Sequence, residues 1–208
     1  MSALKEHMGM LGQFLKTDFR KILLGCTLAM VVAILLGYVL GSFSPETIDT
    51  VLEQFAAMVE DAGIMDNEGN ISPFGLLTNN WTAMLLAALY GFVPFLYLPV
   101  LSLISNGLLI GLLAAWYHNS GLSMVLYLAG ILPHGIFELP ALLISAACGV
   151  CLCRNMSRLV TSSPKRVPMV ELLSDLLRVM LLIVLPMTVA AAFIEAYVTP
   201  LVMSLFMG

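Results

Sequence analysis

The stretch WTAMLLAALYGFVPFLYLPVLSLISNGLLIGLLAAWYHNSGLSMVLYLAGILPHGIFELPALLISAACGVCLC, residues 81–153, decides the fold. Glu138 is its only Asp, Glu, Lys or Arg. A water-facing domain carries about 25% charged residues to keep its surface wetted. The whole chain of 208 residues has 11%, with 60% apolar residues and a mean hydropathy of +0.99. That composition excludes an ordinary soluble enzyme and specifies an all-α integral membrane protein.

A membrane-spanning helix needs roughly 20 mainly apolar residues to cross about 30 Å of hydrocarbon. The 81–153 block is too long for two spans and divides at 99–107 and 118–121. It yields spans at 81–99 and 102–118 and a remainder, 122–153, too long for one straight crossing. Pro133 is expected to break that fourth segment, leaving 134–153 as the span and 122–132 along the outer interface. A re-entrant dip followed by a tilted helix is the alternative. Outward from the block, 22–43 reads as a first span, with no small-residue cleavage pattern, and 176–197 as the last. The chain is one membrane domain: segments 1–21, 22–43, 44–80, 81–153, 154–175 and 176–208.

Charge sets the expected topology. Lys5, Lys16, Arg20 and Lys21 precede the first span, and Arg154, Arg158, Lys165, Arg166 and Arg178 cluster around the 154–175 linker. The 44–80 loop carries seven acids and no Lys or Arg. Basic segments stay in the cytoplasm, so the N-terminus is inside, the acidic loop outside and the linker inside. Three crossings between 81 and 153 satisfy the parity, giving five in all and an extracytoplasmic C-terminus. No basic face suited to nucleic acid is present.

Two peripheral segments are amphipathic. Leu4, Met8, Leu11 and Leu15 recur at helical spacing and place 1–21 on the inner leaflet. Ile48, Val51, Leu52, Phe55, Val59 and Ala62 form a stripe on an outer-loop helix, begun by Ser44 and Pro45 and ended by Gly63. Its apolar face, with Phe55 and Val59, packs on the bundle or receives a partner.

Ionisable groups inside a bilayer cost at least ~2.5–3.5 kcal/mol each, so they are candidates for function. His134 and Glu138 are four apart and share a helix face, and Glu195 lies near the outer end of the last span. With Asn106, these are expected to form an intramembrane polar cluster. Imidazole plus two carboxylates suits a divalent metal completed by water, and equally a hydrogen-bonded network or a proton relay. Gly107 and Gly111 form a small-residue face for close helix packing, with Asn106 placed to bond across, and Gly135 admits another backbone. Cys148, Cys151 and Cys153 point in different directions on a helix and cannot converge. His118 reads as a loop histidine. Residues 66–70 misplace the glycine a calcium loop needs.

The order of these features resembles the stage II sporulation protein M family. The matching stretches are Phe74-Gly75-Leu76-Leu77-Thr78-Asn79-Asn80, Asn106-Gly107-Leu108-Leu109-Ile110-Gly111, Pro133-His134-Gly135-Ile136-Phe137-Glu138-Leu139-Pro140 and Ile194-Glu195-Ala196-Tyr197-Val198-Thr199-Pro200. The likeness covers about residues 15–207. It implies a scaffold in the bacterial cell membrane that anchors peptidoglycan-degrading partners during engulfment in sporulation, and no enzymatic activity. The expected partners are membrane lipid, extracytoplasmic proteins such as peptidoglycan hydrolases, and a second copy of the chain. No cofactor is expected beyond a divalent metal at His134, Glu138 and Glu195. The competing class is a small-solute or ion transporter, or a permease subunit, using that His/Glu site. It needs polar groups reaching both sides, whereas those of the sequence gather near one. An intramembrane hydrolase lacks its second motif here.

Overall fold

The computed structural model describes residues 18–43 and 71–206, together with 14, 16, 48, 50 and 51. It is all-α, without β-strands among the described residues. Helix α1 runs Asp18–Phe43, with Asp18 in the first turn, where the helix dipole favours negative charge. Helix α2 spans Pro73–Leu89: the Ser72 hydroxyl accepts from the Gly75 N–H at 3.2 Å, and Pro73 suits the first helical position. A 3-10 turn, Tyr90–Phe92, ends it. Helix α3 is Leu98–Asn119 and α4 is Met124–Val160, capped by the Ser123 hydroxyl on the Val125 N–H. Helix α5 is Met169–Ser204.

Among the described residues, α1, α3, α4 and α5 are long and apolar enough to cross a membrane. The second expected span, 81–99, is displaced: the helix there is α2, which begins eight residues earlier at Pro73 and ends at Leu89, 17 residues or about 26 Å, packed against α4 and α5. The expected break at Pro133 does not occur, because α4 passes through both Pro133 and Pro140 as one helix of 37 residues. Each proline forfeits a single backbone bond, and inside a bilayer neighbouring helices support the freed carbonyl. Residues 124–132 therefore belong to α4, with Ser123 as its cap and Leu122 just before it. The linker is also shorter than 154–175. Residues 154–160 finish α4, α5 begins at Met169, and only 161–168 connect them.

Helix α5 contains two π-helical turns, Met180–Val184 and Ile194–Val198. Each ends two residues before a proline, Pro186 and Pro200. A proline ring strikes the carbonyl four residues back, and a widened turn relieves that clash. The buried residues of α5 include Leu172, Leu176, Met180, Val184, Thr188 and Ala192, one every four residues.

The most extensive helix pair is α1 with α3. A Cβ on Gly111 would strike the Ile34 carbonyl oxygen, and one on Gly37 the Leu108 carbonyl oxygen. On Gly107 it would lie 2.8 Å from the Ala33 methyl, and on Gly41 2.7 Å from that of Ala115. The expected face of Gly107 and Gly111 is thus met by a second one, Gly37 and Gly41, and the helices run parallel with backbones in contact. Ile48, the first residue of the expected outer-loop stripe, is buried against Gly41 on the bundle. A second close approach joins α2 to α4. Gly91 faces the Gly149 carbonyl, Gly149 faces that of Ala87, and the Ser145 hydroxyl donates to the Met84 carbonyl.

The two parallel pairs make chain direction alternate from α1 through α5, the arrangement that odd parity requires. The basic groups meet at one end. Arg154 pairs with Asp18 at 3.5 Å, joining the end of α4 to the start of α1. Asn155, 4% exposed, donates to the Val167 carbonyl at 3.1 Å and accepts from its N–H at 2.8 Å, fixing the linker there.

Gly111→Ala is expected to destabilise the protein by about 1–3 kcal/mol, the usual cost of overpacking. Gly25→Ala, where a Cβ meets nothing within 4 Å, is expected to be neutral or to stabilise by up to about 1 kcal/mol. Thermal unfolding in detergent measures both, and equal losses would contradict the α1–α3 contact.

Candidate functional site

His134 and Glu138 stand on successive turns of α4, and Glu195 comes from the second π turn of α5. The antiparallel packing of these helices brings one ligand atom of each residue within 4.8 Å of the other two. His134 Nε2 is 3.8 Å from Glu138 Oε2, with side chains 16% and 26% exposed. The other ring nitrogen, Nδ1, lies 3.3 Å from the Thr199 hydroxyl oxygen. Thr199 is buried and sits one turn beyond Glu195. Its hydroxyl can accept from Nδ1–H, which leaves the Nε2 lone pair directed at the carboxylates.

Among the described residues, no Lys or Arg pairs with Glu138 or Glu195, and no hydrogen-bond donor reaches either carboxylate. The triad is ten residues, about 15 Å, inside the start of α4 and nine, about 14 Å, before the end of α5. It therefore lies deeper than the two turns a helix starting at 134 would allow. Such an arrangement can share a proton between acids and imidazole, or hold a cation between them.

The expected fourth member, Asn106, is not joined to the triad. Its amide donates to the Ser102 carbonyl at 2.9 Å on its own helix, and among the described residues no hydrogen bond joins it to the acids or to a neighbouring helix. Gly135 is not a helix-packing position, because a Cβ there would meet only Ile131 and Leu139 of its own helix. Gly149 and Gly91 fill that role instead. His118 lies edge-on to Tyr38, ring centroids 6.1 Å apart, and the Asn119 amide beside it donates to the Gly41 carbonyl at 3.2 Å. The four cysteines are free; among the described residues only the triad groups three metal-ligating side chains. Phe55 and Val59, with residues 1–13 of the inner-leaflet segment, lie outside the described residues. Thr199 escaped sequence reasoning because a threonine before a proline reads as a helix end.

A model of the stage II sporulation protein M family matches residues 25–200, most of the chain. An uncharacterized protein of Methanocaldococcus jannaschii is 34% identical over 125 residues, covering 60% of this chain and 69% of its own. A second uncharacterized protein of that organism is 31% identical over 156 residues, covering 72% and 68%. No solved structure matches.

Coupling within the triad is measurable as a double-mutant cycle on His134→Leu and Glu138→Leu, read by thermal unfolding. Removing one member strands the other in an apolar bundle, so the double variant is expected to be more stable than the summed single losses by about 0.5–3 kcal/mol. Additive losses would mean that the two side chains act independently.

Proposed function

The chain belongs to the stage II sporulation protein M family, and from that premise we propose a non-enzymatic membrane scaffold that holds extracytoplasmic partners at the cell membrane. The observation that carries this reading is the glycine-mediated seating of α1 on α3 and of α2 on α4. Backbones in contact make a stiff platform, and the acidic segment 44–72 is joined to it at both ends, by α1 and α2. Partners of the peptidoglycan-hydrolase class, as in engulfment, belong to the proposal and rest on what the family resemblance implies. The archaeal relatives add no support for a role in sporulation.

The orientation that accompanies the proposal puts the Asp18–Arg154 end in the cytoplasm. Arg20, Lys21, Arg158, Lys165 and Arg166 belong to that end, and cytoplasmic retention of such clusters is the general rule. Both the N-terminus and the linker are then inside, with the acidic segment and the C-terminus outside. Single cysteines replacing Asp66 and Lys165, in a chain freed of its four native cysteines, are expected to react with an impermeant maleimide from opposite sides. Labelling of both from one side would overturn the orientation.

A transporter or permease subunit is the second reading, favoured by the convergence of His134, Glu138 and Glu195. The two readings part in one pair of measurements. Replacing Phe55 and Val59 with Ser is expected to reduce partner cross-linking in cell membranes several-fold while insertion and Tm are unchanged. Proteoliposomes of the purified protein are expected to show no ion flux above empty vesicles. A flux abolished by Glu195→Gln, with cross-linking untouched, would replace the scaffold by the transporter.

A further inference from the structure

We propose that His134, Glu138 and Glu195 bind one first-row transition-metal dication, of the Zn2+ kind, which clamps α4 to the outer half of α5. One ligand atom from each of these three metal-ligating side chains lies within 4.8 Å of the other two. Nε2 and Oε2 face each other across 3.8 Å, beyond hydrogen-bonding reach. With Nδ1–H committed to Thr199, the Nε2 lone pair faces the carboxyl oxygen, a pairing that a cation between them satisfies. A metal about 2.0–2.2 Å from each fits that gap with small side-chain adjustments, and the third ligand atom is within 4.8 Å of both.

Two further features point the same way. Metal-binding histidines characteristically commit their second ring nitrogen to an outer hydrogen bond that fixes the tautomer and aims the first. Thr199, 3.3 Å from Nδ1, provides that bond. Glu195 lies on a π turn, a local widening that recurs at functional sites and re-aims the side chain it carries. The neighbouring elements supply no competing cation, because among the described residues neither carboxylate has a Lys or Arg partner.

The donor set selects the ion. One imidazole with two carboxylates favours transition metals over Mg2+ or Ca2+, which take all-oxygen shells. The absence of thiolate ligands separates the site from a structural cysteine centre. Three protein ligands leave one coordination position for water. The ion joins two helices that meet here through acids without Lys or Arg partners among the described residues, so it stabilises the bundle. This inference does not rest on the scaffold reading, since a clamp serves a platform and a transporter alike.

The test uses the full chain, purified in detergent without a polyhistidine tag, stripped with chelator and dialysed against Zn2+. One zinc per chain is expected, with Tm raised by about a few degrees. Glu195→Gln and His134→Gln are expected to lower retained zinc at least ten-fold while remaining folded. Co2+ substitution separates this site from the cysteines, since N/O ligation gives d–d bands without thiolate charge transfer. The proposal is overturned if the wild type retains under a tenth of an equivalent, if both variants retain as much as the wild type, or if the cobalt spectrum shows thiolate. Where a variant unfolds, the cobalt spectrum and zinc content of the wild type still decide.

Discussion

Lipid removes the force that packs soluble helices, because a leucine is as well solvated by acyl chains as by another leucine. Helices in a bilayer are held by close van der Waals contact and by hydrogen bonds, and both demand that backbones approach. Here Gly37 and Gly41 of α1 take the shapes left by Gly107 and Gly111 of α3, and Gly91, in the 3-10 turn that ends α2, meets Gly149 of α4. With those seats in place, short-range bonds fall into register. The Asn119 amide reaches the Gly41 carbonyl, the Tyr127 hydroxyl the Ile110 carbonyl at 2.9 Å, and the Phe95 N–H the Ser157 hydroxyl at 2.9 Å. An unbroken α4 accompanies these contacts, and it presents His134 and Glu138 to α5.

The chain divides its polar chemistry by position. Cations and the bonds that fix the 161–168 linker occupy one end of the bundle. The acids without cationic partners lie toward the other, inside the membrane-spanning helices. Such a division orients the protein in the bilayer while concentrating the strongest unbalanced electrostatics at a single depth.

Much of this was legible from residue order. A charge-free block of that length admits few readings, and the i,i+4 spacing of His134 and Glu138 places both on one face of any helix. The meeting with Glu195 followed from the expense of isolated charge in hydrocarbon. What sequence could not supply was the outcome of competitions among neighbours. Pro133 is a strong breaker in water, yet its cost is one bond among those of a 37-residue helix supported on several sides. Asn106 had an acceptor one turn back and took it. Whether a glycine admits another helix depends on what lies opposite, so Gly149 and Gly135, alike in sequence, differ in role. Gly107 and Gly111 were recognisable as half of a contact, but the other half sat 70 residues away.

The two π turns of α5 have a consequence for how this helix tolerates change. Its buried residues recur every four positions, whereas a turn of 3.6 residues would rotate such a stripe by about 40° at each repeat. The widened turns absorb that drift, so one face stays against α4 over the length of the helix. Position along α5 therefore works as a count. Side chains can be exchanged within the stripe at modest cost, but inserting or deleting one residue between Met180 and Val198 would turn everything beyond it by about 100°. Such a change would carry Thr199, and Glu195 with it when the change precedes that residue, away from His134 without altering a single residue of the triad. Length variation in this family should be frozen in that segment and free in the acidic loop.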